Sequence, residues 1–434
     1  MVEKYYIETY GCQMNFSDSE IIASILKDSF FELCHKPEDA DIIFLNTCSI
    51  RDNAEQRIFN RLKQFGQYKK KKKNLIIGIL GCMAERLKEK FFENNIVDII
   101  GGPDSYRDLP HLIRSAELGN QSINTILSLD ETYAEINPVR YDSNSISAFI
   151  SIMRGCENFC TYCVVPYTRG KERSRDFETI IKEATELFSE GFKEITLLGQ
   201  NVNSYNYNGV DFPDLVKNIA HISPGLRIRF ATSHPKDISD KLIETIANHE
   251  NICKSIHLPI QSGSNDVLKL MNRKYTREYY LERISKIKKL IPNCGISTDL
   301  IAGFCNETDE DHILTLEIMK LVKFDFAFMF KYSERPDTAA AKKYKDNVTE
   351  KEKTKRLTEI IDLQQNLSHQ SNLNDVGKTF KVLVEGFSKR SKSKLFGRNS
   401  QNKVIIFPSS NYKPGDYVDV KITDCTSATL LGEI

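Results

Sequence analysis

The chain has 434 residues, 40% hydrophobic and 27% charged, with 60 Lys and Arg against 59 Asp and Glu for a formal net charge of +1. That length favours two or three domains over one, the composition is that of an ordinary globular protein, and the near-zero net charge excludes a global basic field, so any nucleic-acid partner must be met by local patches. No run approaches the ~20 consecutive apolar residues of a membrane helix, and the N-terminus, MVEKYYIETYG, alternates like a strand instead of carrying the apolar core of a secretory signal; the expectation is a cytoplasmic protein with no membrane partner.

In chain order, residues 1–118 alternate apolar strands (Lys4–Thr9, Asp41–Asn46, Leu75–Leu80, Val97–Ile100) with helical patterns near 17–29, 50–68 and 83–94, which predicts a doubly wound parallel sheet. Residues 119–145, polar and rich in Asn and Ser, read as a linker. From 146 the alternation resumes with six strands (Phe149–Met153, Glu194–Leu198, Arg227–Phe230, Ile252–Leu258, Gly295–Leu300, Phe326–Lys331) separated by helical patterns, which predicts a partial (β/α)6 barrel with its chemistry at the C-terminal strand ends. A polar helix over 347–370 completes this region at residue 370. Residues 371–434 change character, with strands Thr379–Glu385, Lys403–Phe407 and Tyr417–Thr423 and the turn Lys413–Asp416, and predict a small all-β barrel like those that bind single-stranded nucleic acid. The fold class is α/β, with this β module appended.

Eleven cysteines in a long chain without an export signal point to metal or redox sites before disulfides. Cys156, Cys160 and Cys163 form a C-x3-C-x2-C triplet directly after the first barrel strand. Three thiolates from one loop can hold a 4Fe–4S cube with one iron left open, whereas a closed cluster or structural zinc takes four protein ligands; a zinc knuckle with a fourth ligand elsewhere is the alternative. Cys12, Cys48 and Cys82 each close a predicted strand and open a helix, so a doubly wound sheet brings them to one carboxyl edge. The alternative there is three cysteines acting as small hydrophobes. Cys34, Cys253, Cys294, Cys305 and Cys425 have no such arrangement.

The segments TYGCQMN (9–15), NTCSIR (46–51), GCMAER (81–86), RGCENFCTYCVVPYTRGKERSR (154–175), LLGQNVNSY (197–205), LPIQSGS (258–264), MNRKYTREYY (271–280) and YSERPDTAA (332–340) resemble the radical S-adenosylmethionine methylthiotransferases over nearly the whole chain. TYCVVPYTRG and GQNVNSY resemble the tRNA-modifying branch. The resemblance implies an N-terminal methylthiotransferase domain (1–118), a radical core (146–370) and a TRAM RNA-binding domain (371–434). It implies two 4Fe–4S clusters, a radical one on Cys156, Cys160 and Cys163 and an auxiliary one on Cys12, Cys48 and Cys82, with S-adenosylmethionine as radical source and methyl donor. No catalytic residue beyond these ligands is implied. The implied reaction inserts a methylthio group at C2 of N6-isopentenyladenosine, tRNA position 37; threonylcarbamoyladenosine in tRNA and a ribosomal-protein aspartate are the alternative substrates, and a non-catalytic zinc-containing RNA-binding protein is a reading of another class. Implied partners are tRNA and an electron donor such as flavodoxin or ferredoxin, acting on a monomer. Cys305 and Asn306 stand in GFCNET where relatives carry Pro and Gly; Asn tolerates left-handed backbone, so the turn should survive.

Polar residues at the barrel's C-terminal strand ends are candidates for holding S-adenosylmethionine: Gln200, Asn201, Ser233, Gln261, Thr298 and Asp299. His234 and His257 read equally as core histidines. The five lysines Lys69–Lys73 read as a solvated helix end. In SKRSKSKLFGR (388–398), Lys389, Arg390, Lys392, Lys394 and Arg398 flank Phe396, a pattern suited to phosphate contact and base stacking; a polar hairpin tip is the alternative.

Overall fold

The computed structural model describes residues 2–49, 52–140 and 146–434; Ile50 and Arg51 of the NTCSIR segment, where the predicted helix 50–68 begins, and residues 141–145 of the predicted linker lie outside the described residues. Strands β1 (Lys4–Thr9), β2 (Glu32–Leu33), β3 (Ile42–Thr47), β4 (Ile76–Gly81), β5 (Ile99–Gly101) and β6 (Ser122–Asn124) form an all-parallel sheet ordered β2-β1-β3-β4-β5-β6. The connections carry helices α1 (Gln13–Asp28), α2 (Asp52–Lys71), α3 (Cys82–Leu87) and α4 (Leu109–Glu117). Both faces are covered: Ile42 and Phe44 of β3 join one apolar cluster while Ile43 and Leu45 join another. That is why the central strands read as continuous apolar runs. β2 and β6 escaped the sequence reading because two or three residues show no period, and β6 lies within the polar stretch read as a linker.

The central region adds β7 (Ser147–Ser151), β8 (Met153–Arg154), α5 (Val165–Arg169), β9 (Arg173–Ser174), α6 (Phe177–Ser189), β10 (Glu194–Leu198), β11 (Asn206–Tyr207), β12 (Val210–Asp211), α7 (Phe212–Ala220), β13 (Arg227–Phe230), α8 (Asp240–Asn248), β14 (Ser255–His257), α9 (Asn265–Leu270), α10 (Arg277–Leu290), β15 (Gly295–Ala302), α11 (Asp309–Val322), β16 (Phe326–Lys331), α12 (Ala339–Lys343) and α13 (Glu350–Leu373). The parallel sheets β7-β10-β13 and β14-β15-β16 are joined by a bridge between Ile228 and Ile252, giving an open arc in sequence order. Asp176, Asp211, Ser239, Ser264, Thr276 and Thr308 cap the helices that return between strands, each accepting a first-turn backbone N–H. No helix among the described residues is long and apolar enough to cross a membrane.

At the C-terminus β17 (Thr379–Ser388), β18 (Ser391–Arg398), β19 (Val404–Pro408), β20 (Tyr417–Cys425) and β21 (Leu430–Glu433) close a barrel ordered β17-β18-β19-β21-β20. Of the basic stretch that the sequence placed between strands, Ser391–Arg398 is itself strand β18, with Lys389 and Arg390 in the turn before it. The loop after it docks on the N-terminal ends of the arc's strands. Arg227 donates to the Arg398 carbonyl (2.7 Å), Arg229 to the Asn399 carbonyl (2.8 Å), and the Lys254 N–H to Ser400 Oγ (2.8 Å). The small barrel therefore seals the end of the arc opposite its C-terminal strand ends.

Candidate functional site

β1, β3 and β4 are neighbours in the sheet, and Cys12, Cys48 and Cys82 follow their C-terminal ends. The turns are fixed by a buried polar network. Asn15 Nδ2 donates to the Thr47 carbonyl (3.1 Å), Asn46 Nδ2 to Ser19 Oγ (2.9 Å), and Thr47 Oγ1 to the Leu80 carbonyl (2.7 Å). Glycine is required beside two of the three thiols. A Cβ on Gly11 (φ +132) would stand 2.5 Å from Cys48 Cβ, and one on Gly81 (φ +88) would stand 2.6 Å from Asn46 Oδ1. Cys48 donates to Cys12 and pulls that thiol down to about 6 against the opposing effect of burial, with Arg169 helping. Burial pushes the Cys82 thiol up, and nearby Cys12 adds to it. The fold thus brings the three dispersed cysteines together.

Cys156, Cys160 and Cys163 lie on one loop pinned at several points. The Cys156 N–H donates to the Gly170 carbonyl (3.1 Å), and the Thr161 N–H to the Met271 carbonyl (3.0 Å). The Ala340 N–H reaches the Thr161 carbonyl (2.7 Å), so YSERPDTAA buttresses the loop. A Cβ on Gly155 (φ +79) would fall 1.8 Å from the Lys171 carbonyl oxygen. Burial raises Cys156 to about 11; burial, then Cys160 and Cys156, raises Cys163 to about 12. Buried Arg273 donates to Cys160 Sγ (3.2 Å).

A buried ion cluster joins the two triads. Asp18 of α1, wholly inaccessible, pairs with Arg154 of β8 (2.8 Å) and with Arg169 at the end of α5 (2.7 Å). Arg169 also donates from Nε to Cys82 Sγ (3.1 Å), and its Nη1 is buried with no partner. The loop of Cys163 therefore runs directly into the helix whose last residue touches the other triad. Sequence reasoning missed Asp18, Arg154, Arg169 and Arg273. The signal was there: arginines flanking both ends of the 156–163 loop are costly to bury without an anion.

These surroundings fit clusters. A cube carried by three thiolates bears net negative charge, and each triad has a buried guanidinium on one sulfur. Among the described residues no three His, Cys, Asp or Glu side chains are gathered to hold a single metal ion.

The C-terminal ends of the arc's strands carry a second set of unsatisfied groups. Gln200 Oε1, Asn201 Oδ1, both amide atoms of Asn203, Ser233 Oγ, His234 Nε2 and Gln261 Oε1 are buried without partners, a cost of about 1–3 kcal/mol each unless a ligand meets them. Gln261 takes φ +72, stored strain of the kind found at ligand sites. Burial, then Arg273, pushes His234 down to about 2, so it stays neutral. Thr298 does not join this group: its hydroxyl donates to the Leu258 carbonyl (3.0 Å) and accepts the Ile260 N–H (3.0 Å). Asp299 pairs with His257 at 3.3 Å.

On the small barrel Lys389, Arg390, Lys392 and Lys394 are exposed. Arg398 is paired with Glu385 (3.0 Å), and Phe396 is half-buried over Gly386. Phe387 on the same hairpin, missed in the sequence, is 54% exposed. Of the lysine run, Lys69 pairs with Asp98 and Lys72 with Asp41 (2.6 Å), so it serves the sheet. Cys305 is fully buried against Phe304 and Tyr332, and Asn306 takes φ +63 as expected of that turn.

Residues 4–102 match an uncharacterized protein family, UPF0004, residues 150–319 the Radical SAM superfamily, and residues 374–434 the TRAM domain. A Bacteroides fragilis protein named tRNA-2-methylthio-N(6)-dimethylallyladenosine synthase is 56% identical over 436 residues, 99% of this chain and 95% of that one. Proteins of the same name from Chloroherpeton thalassium and Porphyromonas gingivalis are 55% and 52% identical at the same coverage. A solved radical S-adenosylmethionine methyltransferase, TsrM, from Kitasatospora setae, with tryptophan substrate and a SAM analog bound, superposes with TM-score 0.59 at 12% identity, over 78% of this chain and 75% of that one. The same protein with cobalamin and a [4Fe-4S] cluster bound gives 0.58 at 11%, over 79% and 74%. These two likenesses speak for the fold alone.

Proposed function

The chain belongs to the tRNA-2-methylthio-N6-dimethylallyladenosine synthases, radical S-adenosylmethionine methylthiotransferases, and from that premise we infer how its residues divide the work. The enzyme places a methylthio group on C2 of a tRNA adenosine already carrying a dimethylallyl group, at position 37 beside the anticodon. Its cofactors are two 4Fe–4S clusters and S-adenosylmethionine. We assign Cys156, Cys160 and Cys163 to the radical cluster and Cys12, Cys48 and Cys82 to the auxiliary one. When bound, the first supplies one-electron chemistry that acid–base groups cannot bring to an aromatic C–H bond, and the second the sulfur to be delivered.

The protein's own groups then orient and compensate. Arg273 and Arg169 place positive charge on one sulfur of each triad, and Asp18 fixes the Arg169 guanidinium in the plane its Cys82 contact needs. Gln200, Asn201, Asn203, Ser233, neutral His234 and Gln261 offer the hydrogen-bonding set for the amino-acid and ribose groups of S-adenosylmethionine, with Asp299 at the margin. Lys389, Arg390, Lys392 and Lys394 meet tRNA phosphates, with Phe387, Phe396 and Arg398 beside them. With tRNA as substrate, the work is cytoplasmic, done by a monomer reduced by a flavodoxin- or ferredoxin-type donor.

The observation that carries this reading is Arg169, a residue of the radical core whose guanidinium rests on a thiol of the N-terminal sheet. The test is nucleoside analysis of tRNA from cells lacking the gene. The methylthio-dimethylallyl nucleoside should vanish, return with the wild-type chain and stay absent with Cys160→Ala. Its persistence without the gene overturns the reading.

A further inference from the structure

Strand β16 alternates in an unusual way. Ala327 and Met329 pack into the apolar cluster that the helices cover, while Phe326, Phe328 and Phe330 are 51%, 44% and 38% exposed. An edge strand shaped only by folding carries polar or charged side chains on its open face. Here three large rings occupy it, and Phe326 and Phe328 pack edge-to-face at 4.9 Å.

The neighbouring strand shows what shares that face. Phe326 lies in register with Ser297, Phe328 with Asp299 and Phe330 with Ile301. The Phe328 ring stands 5.8 Å from His257, which bonds Ser297 (3.0 Å) and Asp299 (3.3 Å). At the upper end the Ile301 N–H donates to the carbonyl of Gln261, one of the unsatisfied residues at the cofactor end. At the lower end Asp325, just before Phe326, pairs with Lys403 of the small barrel (3.4 Å). The row thus runs along the inner face of the open arc, from the small barrel to the cofactor end.

We propose that Phe326, Phe328 and Phe330 form the bed that receives the dimethylallyl chain and purine face of the substrate adenosine. The inference rests on the substrate reading above and names the residues that select it. A branched five-carbon chain is the one strongly apolar group such a nucleoside offers, and aromatic rings accept both that chain and a base. A charged threonylcarbamoyl group or an aspartate side chain gains nothing from three phenyl rings. The row therefore supplies discrimination as well as affinity.

The test is equilibrium binding of the reconstituted full-length enzyme, without reductant, to anticodon stem-loop RNA carrying either dimethylallyladenosine or plain adenosine. Wild type should bind the prenylated RNA about tenfold more tightly. Phe328→Ala and Phe330→Ala should reduce that preference to below about twofold by weakening the prenylated RNA far more than the plain one, which loses only the stacking of its base, and Phe328→Leu should keep most of it. Phe387→Ala, on the small barrel, should weaken both RNAs alike. Three results overturn the proposal: no preference in wild type, a preference that survives the Phe328 and Phe330 replacements, or equal weakening of both RNAs by them. Nucleoside analysis of cellular tRNA judges the substrate reading separately, since it does not depend on where the chain sits.

Discussion

The two thiol triads are built by opposite means. Cys156, Cys160 and Cys163 come from one loop whose backbone is pinned by neighbouring segments; Cys12, Cys48 and Cys82 come from three strand ends and meet only because β1, β3 and β4 lie side by side. At one thiol of the dispersed set the electrostatics differ too, although burial raises Cys82 as it does the loop thiols. Burial pushes the Cys156 and Cys163 thiols up to about 11 and about 12, whereas Cys12, given a donor in Cys48, is drawn down to about 6. The contrast teaches that one set of thiols can be gathered locally and the other by tertiary structure, so the two should fail in different ways when the chain is perturbed.

The largest effect should come from Gly155→Ala. Its Cβ would meet the Lys171 carbonyl at 1.8 Å with φ at +79, which the loop cannot absorb. Iron content should fall by about half, from two cubes to one, and S-adenosylmethionine cleavage should disappear. Retained cleavage would show the loop to be less constrained than its hydrogen bonds indicate.

Next comes Asp18→Ala, which takes from Arg169 its buried carboxylate and leaves Arg154 only the more distant Glu131 (3.6 Å). Removing one partner of a buried pair costs about 3–5 kcal/mol. Chemical denaturation should show that loss, with iron lost from the N-terminal triad first. Equal loss from both triads would erase the distinction drawn between them.

The contrast also accounts for what could be read without coordinates. The loop triad was visible because its spacing is local, and the dispersed triad because each cysteine sits at the same station of a repeating strand–helix unit. Strands β10, β13 and β16 matched their predicted bounds because each was an apolar-rich run edged by turn residues. β18 was not recognised because its outward residues are lysines and serines, and β-propensity does not register a strand whose partners supply the pattern. Thr298 looked like a ligand by position but is held by backbone groups of its neighbours, a fact only the register reveals. Arg169 and Asp18 lie 151 residues apart, and no local pattern pairs them.

A smaller effect should follow Arg169→Lys, which keeps the charge but cannot bond Cys82 and Asp18 together. We expect a ten- to hundredfold drop in methylthio transfer, about the usual cost of losing a group that orients a metal ligand. S-adenosylmethionine cleavage at the other triad should continue, measured as deoxyadenosine released per product formed. A parallel fall in both would place Arg169 with the radical loop instead.

The smallest should be Lys389→Ala or Arg390→Ala on the exposed hairpin of the small barrel. Each should weaken RNA binding a few-fold whatever the base and lower the salt slope by about one.

The central claim, that the chain carries two independent open clusters, is tested most directly by counting iron and acid-labile sulfide in anaerobically reconstituted protein, as wild type and with Cys12, Cys48 and Cys82 all replaced by Ala. The account predicts about eight iron falling to about four, with reductive cleavage of S-adenosylmethionine intact. A replaced protein that still holds about eight iron, or a wild type that never exceeds about four, would contradict it.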